Sequence, residues 1–179
     1  MNGYYYLMTS LPPLSFKEGV PLPFTRDSFL ETIDGFVPEG DKKCIEDLLD
    51  GKAVKKSGVS AYSSLYADIQ EAILYYRKKR LGDSDKIQKP SVDASILEMA
   101  EKAVSNENPY DAEMDVLSIY EKALDGLAAF HYADFMALAV YALKLKLLLR
   151  KNSFDKEKGE SEVKKIFSSY NVLEDLLNG

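Results

Sequence analysis

Apolar residues occupy nearly every helical position between residues 132 and 151. Good helix formers dominate this segment, which contains neither Gly nor Pro. It opens with Asp134 and closes with basic residues, an order that suits the helix dipole. Because a helix that is apolar on almost all sides must be covered on almost all sides, the pattern predicts an all-α, multi-helix bundle around this central helix. Its apolar positions are Phe135, Met136, Leu138, Val140, Tyr141, Leu143, Leu145, Leu147, Leu148 and Leu149.

Five further segments show apolar residues at the spacings of three and four that are typical of amphipathic helices. Thr25 or Asp27 is the expected cap of the first of these helices, and Ser28 in place of Glu or Gln predicts that a full capping box is absent. Asp41 and Asn108 are expected to cap two of the others. The five predicted helices cover residues 25–36, 41–49, 60–81, 91–104 and 110–127.

The two ends of the chain are less regular. Three consecutive tyrosines within residues 4–14 favour extended structure or a short buried segment, and residues 15–24 are predicted to form an extended connector. The tyrosine cluster either packs against the core, which we favour, or forms a binding surface. After residue 154, apolar residues at helical spacing lead into a leucine-containing end that either covers the core or begins a longer parent chain. These residues are Val163, Ile166, Phe167, Tyr170, Val172, Leu173, Leu176 and Leu177.

Length and composition are typical of a folded protein with one domain. The 179 residues suggest a single helical domain, with an extended segment and short helices in residues 1–59 and a core of long helices in residues 60–179. The net charge of −6 argues against general nucleic-acid binding. Cys44 is the single cysteine, and a reducing, cytoplasmic location is expected. Lys144 and Lys146 interrupt the longest apolar run, so direct membrane insertion is not expected.

Catalytic and ligand-binding patterns are missing from the sequence. His131 is the single histidine, so a histidine-based metal site is not expected. Cys44 lacks the sequence context of a nucleophile, and no glycine-rich nucleotide-binding loop occurs. Acidic pairs such as Glu160 and Glu162 lie among lysines and are interpreted as solvated charge rather than as general acids or bases. We therefore expect no catalytic residue, cofactor, metal or small-molecule substrate.

Two stretches together resemble the domain-of-unknown-function family 2764. The first is the opening YYYLMTSLPPLSF, residues 4–16, with the acidic helix that follows it. The second is FHYADFMALAVYALKLKLLLRKNSFDKEKG, residues 130–159, with an aromatic-Asp start, a Tyr-x-x-Lys-Leu-Lys helix and a basic end. The resemblance spans most of the chain from Tyr4 to Gly159. The chain is short for this family, which suggests that a C-terminal part is missing.

Bacterial members of that family are typically encoded among the subunits of a V-type (A/V-type) ATP synthase. The resemblance therefore implies a non-catalytic coupling or assembly protein that takes the place of the helical subunit seating the central rotor shaft on the membrane ring. It implies other ATP synthase subunits as partners and a cytoplasmic location, peripheral to the inner membrane through the complex. By the same analogy, Arg77, Arg80, Lys144 and Arg150 are candidate contacts for acidic partner surfaces.

Three interpretations stay open at this point. The first is the ATP synthase subunit, and the second is a free-standing helical adaptor between proteins, which an exposed apolar groove between the long helices would favour. The third is an enzyme of unrecognised type, which a deep pocket with several carboxylates of raised pKa would favour. The basic run that contains Arg77 and Arg80 also has a simpler interpretation, as a solvated helix end that matches the helix dipole.

Overall fold

The computed structural model describes residues 3–17, 19–56, 58–82 and 88–154, and this part of the chain folds into seven α-helices without a strand. The predicted all-α fold is confirmed. No helix in these ranges combines the length and apolar character needed to cross a membrane. The predicted apolar residues from 163 to 177 lie outside the described residues. The helices are α1 (Gly3–Ser10), α2 (Arg26–Ile33), α3 (Glu39–Leu49), α4 (Val59–Arg80), α5 (Ala94–Ser105), α6 (Pro109–Ala128) and α7 (Phe135–Ser153).

Helix α7 is covered on almost all sides, as its apolar pattern predicts. Asp134 caps its N-terminus by accepting a hydrogen bond from the Ala137 amide at 2.9 Å. Helices α1, α3 and α6 pack against α7. Within the helix, only Arg150, Asn152 and Ser153 at its C-terminal end are exposed. Its buried side chains are Met136, Ala137, Leu138, Ala139, Val140, Ala142, Leu143, Leu145 and Leu148.

The buried apolar side chains of the described residues form two clusters. One is built mainly from α1, α2, α3 and α7. The other is built from α4, α5 and α6. Helix α6 packs against α4, α5 and α7, and Leu147 of α7 contacts both clusters. The α6–α7 contact joins the two halves, together with Val59 and Tyr62 of α4, which pack in the first cluster. The second cluster contains Ile69, Ala72, Ile73, Tyr76, Ile96, Leu97, Ala100, Ala103, Ile119 and Tyr120.

The N-terminal tyrosines form a helix, so the predicted extended structure of this segment is wrong for residues 3–10. Tyr4, Leu7 and Met8 lie on one face of α1 and pack against the first cluster, where Leu7 is fully buried. Burial of this face outweighs the modest strand preference of tyrosine. Tyr5 and Tyr6 lie on the opposite face and are each 62% exposed. The tyrosine cluster is therefore partly packed and partly available to solvent.

A polar cluster ties α1 to α3 and to the loop before α4. The Tyr4 hydroxyl donates a hydrogen bond to the Asp41 carboxylate, which also forms an ion pair with Lys56. The Lys56 ammonium lies 3.7 Å from the centre of the Phe135 ring, at the start of α7. Burial favours the neutral form of Asp41, but the hydrogen bonds from Lys56 and Tyr4 outweigh it and lower the Asp41 pKa.

Two helix starts differ from those predicted. Thr25 and Ser28 form a complete capping box, with the Thr25 amide donating to the Ser28 hydroxyl at 2.9 Å and the Ser28 amide donating to the Thr25 hydroxyl at 3.2 Å. The serine hydroxyl thus performs the role usually given to Glu or Gln. Helix α3 begins at Glu39, so Asp41 lies in its first turn and is not its cap. The predicted cap Asn108 is confirmed.

Candidate functional site

A cleft of about 550 Å³ lies between the long helices α4 and α7 and is closed at its sides by α6 and by the turn after α3. We call it the tyrosine cleft because three tyrosines line it. The sequence segments that form it are far apart, since α4 ends at Arg80 and α7 begins at Phe135. Its aromatic and aliphatic lining includes Tyr62, Tyr66, Tyr120, Ile73, Leu143 and Leu147.

The three tyrosines form a continuous aromatic surface. The rings of Tyr66 and Tyr120 are stacked, with centres 5.4 Å apart and planes at 27°. Tyr62 and Tyr66 meet at 6.0 Å with a tilt of 51°. Tyr120 also accepts a hydrogen bond from the Gln70 side chain, which fixes its ring. Tyr66 remains 45% exposed, so it presents the accessible part of this surface.

Burial keeps the inner phenols of the cleft neutral. Desolvation raises the pKa of Tyr62 to about 12. It also raises the pKa of Tyr120 to about 12, even though the hydrogen bond from Gln70 acts in the opposite direction. A neutral phenol offers a hydrogen bond and an apolar ring, which is the chemistry of a recognition surface.

Positive charge surrounds the aromatic surface. Lys52, Arg77, Lys146 and Arg150 line the cleft, whereas Glu113 is the single carboxylate among its described lining residues. Glu113 forms an ion pair with Arg150, and Lys52 forms ion pairs with Asp47 and Asp50. Arg77 forms no ion pair with any other described residue. The cleft therefore has an excess of positive charge that complements an acidic ligand.

Lys146 is the most enclosed of these cations. Its ammonium donates a hydrogen bond to the Leu48 carbonyl at 2.9 Å. Desolvation lowers the Lys146 pKa, and the negative charge of Asp50 opposes that shift only in part. A carboxylate bound nearby would favour the charged ammonium.

The structure brings three of the four predicted contact residues into one region. Arg77 and Arg150 both line the tyrosine cleft. Arg77 and Arg80 share a neighbouring cavity of about 700 Å³, where Arg80 donates a hydrogen bond to the Val104 carbonyl at 2.7 Å. Lys144 lies apart from them and forms an ion pair with Asp125 of α6.

The bend between α6 and α7 carries a second surface that the sequence pattern did not reveal. We call it the aromatic turn, defined by Phe130, His131 and Tyr132. Phe130 is 91% exposed and Tyr132 is 80% exposed. His131 lies between them, with Nδ1 2.6 Å from the Asp134 carboxylate. The sequence did contain a signal for this surface: Phe130 and Tyr132 are large aromatic residues that lie between two predicted helices and belong to the apolar face of neither.

The Asp134 carboxylate holds the aromatic turn to the start of α7. Burial acts to raise its pKa, but hydrogen bonds from His131 and from the Ala137 amide outweigh burial and lower the Asp134 pKa. The carboxylate is therefore ionised at neutral pH while it caps the helix. The two exposed rings thus lie in a short turn that a side-chain contact between His131 and Asp134 joins to the start of α7.

Metal-binding and acid–base features are sparse among the described residues. No group of three or more His, Cys, Asp or Glu side chains there is arranged to hold a metal ion. Burial raises the pKa of the Glu121 carboxyl, but Glu121 is not among the residues that line the tyrosine cleft.

No family model, no curated protein and no solved structure matches the chain. The resemblance of residues 4–16 and 130–159 to an ATP synthase-associated family therefore remains an expectation. A functional assignment rests on that resemblance and on the two surfaces described above.

Proposed function

We propose that this protein is a non-catalytic helical subunit that binds other proteins through its aromatic turn. The observation that carries the proposal is the exposure of Phe130 and Tyr132, at 91% and 80%, next to a capped and buried helix. Aromatic side chains dominate many protein interfaces, and an aromatic ring has few rotatable bonds to order on binding. Exposure of both rings in the free protein costs hydrophobic free energy that a partner surface would recover.

The proposed partners are subunits of a bacterial V-type ATP synthase. This part of the proposal is supported by the sequence resemblance, because the aromatic turn begins the second resembling stretch at residue 130. The protein would act as a coupling or assembly component between rotor shaft and membrane ring, in the cytoplasm at the inner membrane. Force would pass through packed helices, and α7 with its covered apolar core has the rigidity that this role needs.

A free-standing helical adaptor is the second candidate function. The tyrosine cleft favours it, because an open groove between two long helices is the type of surface that receives a helix or peptide from another protein. The two candidates share the binding role and differ in the identity of the partner.

The test is purification of the tagged protein from native membranes, followed by identification of the bound proteins. We expect recovery of V-type ATP synthase subunits with the unmodified chain. Phe130→Ser with Tyr132→Ser should reduce that recovery by at least about tenfold, since the loss of one hot-spot residue commonly costs about 2 kcal/mol or more. Both residues are too exposed to affect folding strongly.

The matched control is Tyr5→Ser with Tyr6→Ser, which removes two exposed rings from α1. This variant should retain the ATP synthase subunits. If it loses them while the turn variant retains them, the interface lies on α1 instead. Recovery of no ATP synthase subunit by the unmodified chain contradicts the proposed partner, and specific recovery of a different protein supports the adaptor.

A further inference from the structure

The tyrosine cleft leaves an aromatic and aliphatic surface partly uncovered in the described part of the chain. Tyr66 is 45% exposed even though both of its neighbouring tyrosines are mostly buried. The cleft volume of about 550 Å³ is within the range of sites that enclose a ligand. Three conditions therefore describe its occupant: it has several large apolar side chains in a row, it bears acidic groups, and it reaches this side of the molecule.

The chain contains a segment that meets the first two conditions in its sequence. Residues 160–177 lie outside the described residues, and their apolar positions recur at spacings of three and four. Glu160, Glu162, Glu174 and Asp175 exceed the two lysines of this segment, which gives it a net negative charge. Of the four cations that line the cleft, Lys52 is paired with Asp50 and Arg150 with Glu113. Arg77 and Lys146 form no ion pair with another described residue, so they complement a negatively charged segment. The apolar positions are Val163, Ile166, Phe167, Tyr170, Leu173 and Leu177.

The segment also meets the third condition. Helix α7 ends at Ser153, one turn after Arg150, which lines the cleft. The chain from residue 154 to residue 163 can span up to roughly 30 Å when extended. Attachment to the same chain gives the segment an effective concentration in the millimolar range, well above that of most cellular partners.

We propose that residues 160–177 bind in the tyrosine cleft of the same molecule, with their apolar side chains on Tyr66 and their acidic groups near Arg77 and Lys146. The cleft would then be an intramolecular docking site. This inference does not depend on the function proposed for the aromatic turn, which lies on a different surface. It competes with the adaptor function, because a docked segment of the same chain would occupy the cleft that a peptide from another protein would need.

The first test uses the full chain with Tyr66→Trp, which introduces the single indole because the natural chain has no Trp. Ile166→Asp with Phe167→Asp should expose this indole, seen as a red shift of its emission and stronger quenching by acrylamide. Ser168→Asp with Ser169→Asp adds the same charge at positions outside the apolar set and should leave the emission unchanged. Equal emission in all three proteins overturns the proposal.

A second measurement avoids any change in the cleft. Hydrogen exchange in α4 is compared between the natural full chain and the chain with Ile166→Asp and Phe167→Asp. We expect exchange on the order of tenfold slower in the natural chain, because a millimolar effective concentration keeps even a weak site largely occupied. No difference in α4 overturns the proposal even if the Tyr66→Trp protein folds poorly.

A third measurement distinguishes the same molecule from a second copy. In the Cys44→Ser background, Ser169→Cys is labelled with a bimane dye, whose emission a nearby indole quenches. Quenching by Tyr66→Trp, but not by Tyr132→Trp on the aromatic turn, supports the proposal if it is independent of protein concentration. Quenching that increases with concentration assigns the cleft to a second copy and overturns the intramolecular assignment.

Discussion

Leu145→Ala should strongly destabilise the protein, because it removes a fully buried side chain from the middle of α7. Leu145 is 0% exposed and belongs to the cluster that joins α7 to the N-terminal helices. The substitution deletes three carbons, which at about 0.8 kcal/mol each lose roughly 2.4 kcal/mol of transfer free energy. A residual cavity of about 40 Å³ would add on the order of 1 kcal/mol. The expected loss in free energy of unfolding is therefore about 3–4 kcal/mol.

Urea unfolding followed by far-ultraviolet circular dichroism is the suitable assay, because the regular secondary structure of the described residues is α-helical. For a chain of this length, the same loss lowers the thermal midpoint by roughly 6–16 °C. The matched control is Leu74→Ala on α4, which makes the same chemical change at a residue that is 51% exposed. The control should lose less than about 1 kcal/mol.

The comparison refutes the central role of α7 if the two alanine variants lose similar amounts of stability. It also refutes that role if Leu145→Ala loses less than about 1 kcal/mol, since burial of an isobutyl group in a packed core does not permit so small an effect. Unchanged slopes of the urea transitions would show that the variants share one unfolding reaction.

Three further predictions concern the start of the chain. Gly3→Ala should lower the thermal midpoint, because the added Cβ would overlap the Phe36 carbonyl oxygen. This loss should exceed the gain from the helix preference of alanine. An unchanged or higher midpoint would show that α1 does not pack against Phe36. Thr25→Ala should cost about 1 kcal/mol in urea unfolding by breaking the capping box, and a loss below about 0.3 kcal/mol would contradict that role. The pKa of Asp41 is lower in the folded protein than the value near 3.8 expected for the unfolded chain, so the ionised carboxylate stabilises the fold. This stabilisation is complete above the unfolded pKa and is lost as pH falls through the folded pKa. The urea midpoint should therefore fall between about pH 5 and pH 2, and Asp41→Asn should reduce that fall while weakening the protein at neutral pH.

The long helices could be predicted from the sequence because their apolar residues repeat over many turns. The run that became α7 is a clear case, since its length and composition exclude a strand. Helix α1 could not be predicted in the same way, because it has eight residues and three of them are tyrosines with some strand preference. Its stability comes from the packing of Leu7 in the tertiary structure, which no local pattern reports.

The candidate surfaces were harder to predict than the helices. The family analogy names Arg77 and Arg150 as candidate partner contacts, but their common cleft depends on the way α4 and α7 pack around α6. The predicted absence of a capping box at Thr25 is wrong, because the Ser28 hydroxyl takes the place of the usual longer side chain. The exposure of Phe130 was missed because an isolated aromatic residue has no periodic neighbour that indicates where it points.

The position of α6 has a mechanical consequence. It is the helix that contacts α4 and α5 on one side and α7 on the other, and Leu147 is the α7 side chain that packs against both apolar clusters. Any sliding of one half of the molecule past the other must therefore shear the α6–α7 seam. Because the tyrosine cleft is lined by residues of α4, α6 and α7, such sliding would also change its width.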